Sequence, residues 1–172
     1  QAPTPPEANR APASPQDATP PSPPGSYGLS GGWGGAREKL SNAGLEIGVA
    51  YKGDLNRVLS GGVEQRTMYL QNLDFKFNLD GEKLLGFKGT TAFVYAVGNW
   101  GASAGSRPSA AVGDLQWTSN IETFTDAFKL YEIWIQQKFA DDKASLLVGI
   151  HDLNSEFYVT DSAAMFMHAS FG

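Results

Sequence analysis

Residues 69–79 read YLQNLDFKFNL, and they alternate. Tyr69, Gln71, Leu73, Phe75, Phe77 and Leu79 occupy one set of positions, and Leu70, Asn72, Asp74, Lys76 and Asn78 the other. Successive side chains of a strand point to opposite faces, so a period of two assigns each set to its own face. The pattern recurs four times. Leu45–Leu55 sets Leu45, Ile47, Val49 and Tyr51 against Glu46, Gly48, Ala50, Lys52 and Asp54. Thr91–Val97 sets Thr91, Phe93, Tyr95 and Val97 against small Ala92, Val94 and Ala96. Leu130–Phe139 sets Tyr131, Ile133, Ile135 and Phe139 against Glu132, Trp134, Gln136 and Lys138, and Leu146, Val148 and Ile150 alternate with Leu147, Gly149 and His151. Five strands are expected, each with one apolar and one polar face.

The links between them sort by length. Asp80–Lys88, with a helical turn expected at Glu82–Leu85, and Ala140–Asp142 are short, whereas Asn56–Arg66, Trp100–Phe128 and the stretch after His151 are long. Along an antiparallel meander the short links share one rim and the long ones the other, as in bacterial outer-membrane barrels. The strands approach the ~9–11 residues that cross a bilayer at a tilt, beyond the ~5–6 usual in soluble sheets. The polar face carries full charges and Trp134, as a wet lumen does, and Tyr51, Tyr69, Tyr131 and Phe139 near strand ends suit interfacial girdles. The fold class expected is all-β, an antiparallel transmembrane β-barrel. The alternation alone leaves open a soluble β-sandwich, a carbohydrate-binding module on a proline-rich linker.

Composition narrows the field further. Nine of the ten prolines lie in the first 24 residues, so residues 1–26 read as an extended, disordered leader and 27–172 as the barrel portion. No run approaches the ~18 apolar residues of a helical membrane span. The absence of cysteine excludes a disulfide scaffold and a cysteine-based zinc site. Net charge is −5 with both signs interspersed, and without a basic stripe nucleic acid is not an expected partner. Gly31, Gly32, Gly34 and Gly35 flank Trp33 ahead of a short helix, Ala36–Asn42, ended by Gly44. Their spacing fits neither a P-loop nor a dinucleotide fingerprint, so they read as a packed structural plug or an entry turn.

The candidate sites are polar clusters. Glu132, Trp134 and Gln136 share one strand face, where an indole can stack on a sugar ring while the carboxylate and amide bond its hydroxyls. Packing of Trp134 beneath an infolded loop is the competing role. Asp114, Trp117 and Asn120 in the long loop, and Arg37 beside the glycines, carry the same ambiguity. His151, Asp152, Asn154, Glu156 and Asp161 form a dense group without the spacing of a zinc protease or an EF-hand. Asp152, Asn154 and Glu156 are therefore expected to anchor a loop, and His168 to be structural. No catalytic residue, metal or cofactor is expected. Lys52, Lys76 and Lys138 balance Glu46, Asp54 and Asp74, so strong ion selectivity does not follow.

Several stretches, in order, resemble the N-terminal part of the OprB-type carbohydrate-selective porins of Gram-negative outer membranes. They are LSGGWGGAREKLSNAGLEIGVAYKGD, YLQNLDFKFNLDGEKLLGFKGTTAFVYAVGNWG, GDLQWTSNIE and LYEIWIQQKFADDKASLLVGIHDLNSEFYVTDSAAMFMHASFG, covering most of Leu29–Gly172. The resemblance implies passive diffusion of carbohydrates and small solutes through a barrel in outer-membrane lipid, a monomer or homo-oligomer, with the leader in the periplasm. Single-chain bacterial barrels have an even strand count of at least ~8. Five strands, with the start of a sixth around Ala164–Phe171, are thus expected to be the first part of such a barrel.

Overall fold

The computed structural model describes residues 28–101, 107–157 and 168. The leader, the expected sixth strand and Asp161 lie outside the described residues. Two 3-10 turns, Gly28–Ser30 and Trp33–Gly35, lead into helix α1, Ala36–Asn42. Five strands follow: β1 Leu45–Arg57, β2 Thr67–Asp80, β3 Thr90–Trp100, β4 Ala127–Phe139 and β5 Ala144–Ile150. They pair antiparallel in one sheet of order β1-β2-β3-β4-β5. The first four have 13, 14, 11 and 13 residues, each enough to cross a bilayer at a tilt. Short helices α2, Gly81–Leu85, α3, Pro108–Val112, and α4, Asn154–Phe157, sit in the links.

Local chemistry explains the short rim. Asp80 ends β2 and caps α2, its Oδ1 accepting from the backbone N–H of Glu82 at 3.0 Å and of Lys83 at 3.1 Å. Gly86, at φ 78°, closes that helix in the left-handed conformation. Between β4 and β5 the chain reverses through Ala140, Asp141 and Asp142, all at positive φ, with Lys143 N donating to Ala140 O at 3.2 Å.

The register fixes which side chains share a face. Ile47 pairs with Phe77, Phe77 with Val94, Val94 with Ile133 and Ile133 with Ile150. On β3, therefore, the outward positions are small Ala92, Val94, Ala96 and Gly98, while bulky Phe93, Tyr95 and Val97 face inward beside Asn78, Lys76 and Asp74. This reverses the side on which size alone would place the apolar set. The neighbours fill the space left: Phe75 of β2 and Phe128 of β4 meet edge to face across β3, their centroids 6.1 Å apart. The Trp100 ring lies over Gly98 so closely that a Cβ there would clash with it.

A second departure is a bulge. The β3–β4 register shifts between Tyr95 and Ala96, which pair with Glu132 and Leu130, leaving Tyr131 as the extra residue. Tyr131 thus leaves the apolar face that its period assigned to it. Its ring packs edge to face on inward-facing Tyr95, with centroids 5.2 Å apart.

The outward face is apolar and uncovered. Val49, Tyr51, Leu55, Tyr69, Phe128, Leu130, Ile133, Ile135, Leu146, Val148 and Ile150 are all exposed there. From Thr90 to Trp100 the outward face of β3 carries no charge. Ten steps of a strand are about 34 Å. A barrel tilt of about 40° reduces that to a height near 26 Å, matching the ~25 Å apolar band of outer-membrane barrels. Polar groups mark both limits. Tyr51 and Tyr69 hydroxyls lie 2.7 Å apart beside Gln71 toward the long-loop rim, and the Thr90 hydroxyl donates to Gln137 at the short one.

Candidate functional site

The inward face is charged where the outward one is not. Among strand residues, Glu46, Lys52, Asp54, Asp74, Lys76, Asp80, Lys129, Glu132 and Lys138 lie on the inner side, and only Arg57, at the loop end of β1, lies on the outer. Several of the inner charges have partners. Lys52 Nζ donates to Asp74 Oδ2 at 2.8 Å, and the Tyr95 hydroxyl to Asp74 Oδ1 at 2.8 Å. Lys76 stands 4.9 Å from the centre of the Tyr95 ring. Asn72 donates to Asn99 Oδ1 at 3.0 Å. An aromatic row crosses the wall from Trp134 to Phe93 (5.2 Å), Tyr95 (6.4 Å) and Tyr131 (5.2 Å).

Glu132 is the hub of the β4–β5 region. Its Oε2 accepts from Trp134 Nε1 at 3.3 Å and from the Asp152 backbone N–H at 3.3 Å, and lies 3.0 Å from His151 Nδ1. Asp152 in turn takes the Tyr131 hydroxyl at 2.9 Å and the Asn154 N–H at 3.0 Å. The turn after β5 is therefore tied to the wall through Asp152. Asn154 joins by its backbone, and the Glu156 side chain lies outside the described residues.

Trp134 is 5% and Glu132 7% exposed, and Gln136, donating to Ser145 Oγ at 3.2 Å, is buried too. The three share the inner face, as the period requires, but they are covered. The indole is sandwiched between Phe93 and His151, 6.0 Å from the latter, because Gly149 opposite it leaves room. A Cβ on Gly149 would clash with the Ile133 carbonyl oxygen. Asp74, at 3% exposed, is likewise paired rather than solvated.

Residues 107–126 of the link between β3 and β4 fold onto the inner face near the loop ends of β1 and β2. Ser119 Oγ donates to Asp54 Oδ2, and Ile121 packs on fully buried Leu70. Ala111 O accepts from the N–H groups of Val63 at 2.8 Å and Glu64 at 3.1 Å, joining the β1–β2 loop to the same platform. Trp117 packs edge to face on Phe124 at 5.3 Å, and Arg107 stacks 4.5 Å from the centre of Phe124's ring. Asp114 and Asn120 are exposed on this loop and Trp117 half-buried. His168 Nδ1 lies 3.4 Å from Gln116 Nε2, so the loop also meets the later chain.

Arg37 is placed elsewhere. Asp80 N donates to Gly44 O at 2.8 Å, so even residues of β1 bond β2 and the odd ones turn their carbonyls to the free edge. Arg37 Nη2 donates at 3.0 Å to one of these, Ile47 O, which fastens α1 to the edge of β1 and keeps Arg37 apart from the Glu132 cluster. A recess of about 60 Å³ among Ser41, Glu46, Asn78, Asp80 and Lys83 has room for water rather than a hexose. Among the described residues no cluster of His, Asp or Glu could hold a metal, and no helix is long and apolar enough to cross a membrane.

Glu122, the most buried acid of the loop, is not among the polar candidates named above. Its signal was present as Ser119-Asn-Ile-Glu122, the spacing of a capping box.

Comparison with known proteins agrees with this geometry. The sequence model of a family described as carbohydrate-selective porin, OprB family, matches residues 64–172. No curated protein sequence matches. The high-pH structure of Pseudomonas putida OprB superposes with a TM-score of 0.61 at 21% identity, over 69% of this chain and 29% of that one. The low-pH structure of the same protein gives 0.46 at 17% identity, over 69% and 37%. The chain thus spans about a third of these structures, and the first shares its fold.

Proposed function

The chain belongs to the OprB family of carbohydrate-selective porins, and from that premise we propose that it builds part of the wall of an outer-membrane channel for small carbohydrates. The observation that carries the reading is the division of charge: nine charged strand residues inside, one outside, on a sheet whose apolar face has the height of a bilayer's hydrocarbon band. A β-sandwich would cover that apolar face with a second sheet, and the described strands form a single one. Closure takes strands beyond these five, since lipid does not tolerate unpaired edges. The long-loop rim faces outside and the short one the periplasm, where residues 1–26, preceding α1, also lie.

Solutes pass between the inner wall and the infolded loop. Lys52, Tyr131, Asp114 and Trp117 present accessible polar and aromatic groups along that path, while Glu132, Trp134 and Gln136 brace the wall behind it. Weak stacking and hydrogen bonding suit a channel, because the solute must also leave. Selection by width and lining needs no reaction chemistry.

Single-channel recording of the assembled porin in planar bilayers tests this. Discrete conductance steps, with ion current that falls as sugar is added, are expected. A protein that stays soluble without detergent and binds sugar without conducting would instead be a soluble module.

A further inference from the structure

We propose that Glu122 is a positioning residue of the channel: it clamps the two limbs of the infolded loop and so fixes the aperture. The inference rests on the channel reading above. Glu122 is 0% exposed, a costly place for a carboxylate unless every donor around it is used. It accepts from Ser109 N at 3.2 Å, from Ser109 Oγ, and from Thr118 N at 3.1 Å. Ser109 belongs to α3 on the outgoing limb and Thr118 to the returning one, so a single side chain holds both. It also satisfies the first turn of α3, whose own cap position, Arg107, supplies no side-chain bond.

The clamp sits between the loop's grips on the wall. On one side of it Ala111 O holds the β1–β2 loop, and on the other Ser119 bonds Asp54 and Ile121 covers Leu70. Among the described residues the buried apolar side chains here are few, Ile121 on Leu70 with Pro108 and Ala111, a small set to order the loop by hydrophobic packing alone. The strand ladder does not run through Glu122, so the sheet can form without it.

The test compares wild type, Glu122→Ala and Glu122→Gln in the assembled porin, by heat-modifiability on gels and by single-channel recording. Glu122→Ala should assemble as wild type does, lose the single conductance level in favour of a broader, higher distribution, and show weaker block by sugar. Glu122→Gln, retaining one acceptor oxygen, should fall between the two. Conductance level and sugar block in Glu122→Ala identical to wild type would overturn the proposal. If Glu122→Ala does not assemble, Asp54→Cys with Ser119→Cys supplies a substitute tether in a chain that has no other cysteine. Oxidation of that pair in the Glu122→Ala background should restore assembly and a narrow level; persistent failure would assign Glu122 to folding of the barrel and overturn the clamp. Failure of the channel reading shows itself separately, as wild-type protein that does not conduct.

Discussion

Glu132→Ala is expected to destabilise the assembled protein by about 3–5 kcal/mol, the range for removing one partner of a buried charged group. One oxygen of Glu132 serves Trp134 Nε1, His151 and the Asp152 N–H, and truncation leaves these groups in a site that water reaches poorly. Two elements loosen together, since Asp152 also receives the Tyr131 hydroxyl at the bulge. Glu132→Gln retains an acceptor and should lose distinctly less. Urea titration of protein folded into liposomes, followed by tryptophan emission, measures both. A loss below about 1 kcal/mol for the alanine variant, the net worth of one ordinary hydrogen bond, would show that the cluster is not a hub.

Phe75→Lys should cost about 2–4 kcal/mol, the penalty for lysine on the lipid face near the bilayer midplane. Phe75 lies mid-strand on the outward face, and its edge contact with Phe128 is lost as well. Three residues on, Asn78 faces inward and is paired in register with Glu46, so Asn78→Lys gains a carboxylate neighbour and should be nearly neutral. The same titration separates the two positions. Equal losses would mean that both faces are buried in protein, as in a sandwich.

The parts of the fold legible in the sequence were those decided locally. Strand period, the run of α1 up to Gly44, and the α2 turn between Asp80 and Gly86 each depend on a few neighbouring residues, and each formed as read. Two features were not local. Tyr131 stands in phase with Ile133 and Ile135, and only its partner strand, through the register shift at Tyr95 and Ala96, turns it inward. On β3 hydropathy misled because the inner wall is itself aromatic: Phe93 and Tyr95 belong to the row that runs to Trp134, and small outward residues make room for Phe75 and Phe128.

The candidate site was legible to the same degree. Period placed Glu132, Trp134 and Gln136 on the inner face, yet it carries no information about what covers them. The contacts of Ser119 with Asp54 and of Ile121 with Leu70 span more than fifty residues, and the capping spacing at Ser119–Glu122 announces a turn without saying where it docks.

β3 therefore offers the most direct test that this sheet is a channel wall with lipid on one side. Nitroxide labels placed singly at positions 91–98 of the assembled porin in liposomes report collisions with oxygen, which concentrates in lipid, and with a water-soluble nickel complex. Oxygen access should peak at Ala92, Val94 and Ala96, with any nickel access at Phe93 and Tyr95. Oxygen maxima at Phe93, Tyr95 and Val97, or no lipid-phase access at any of the eight positions, would contradict the account.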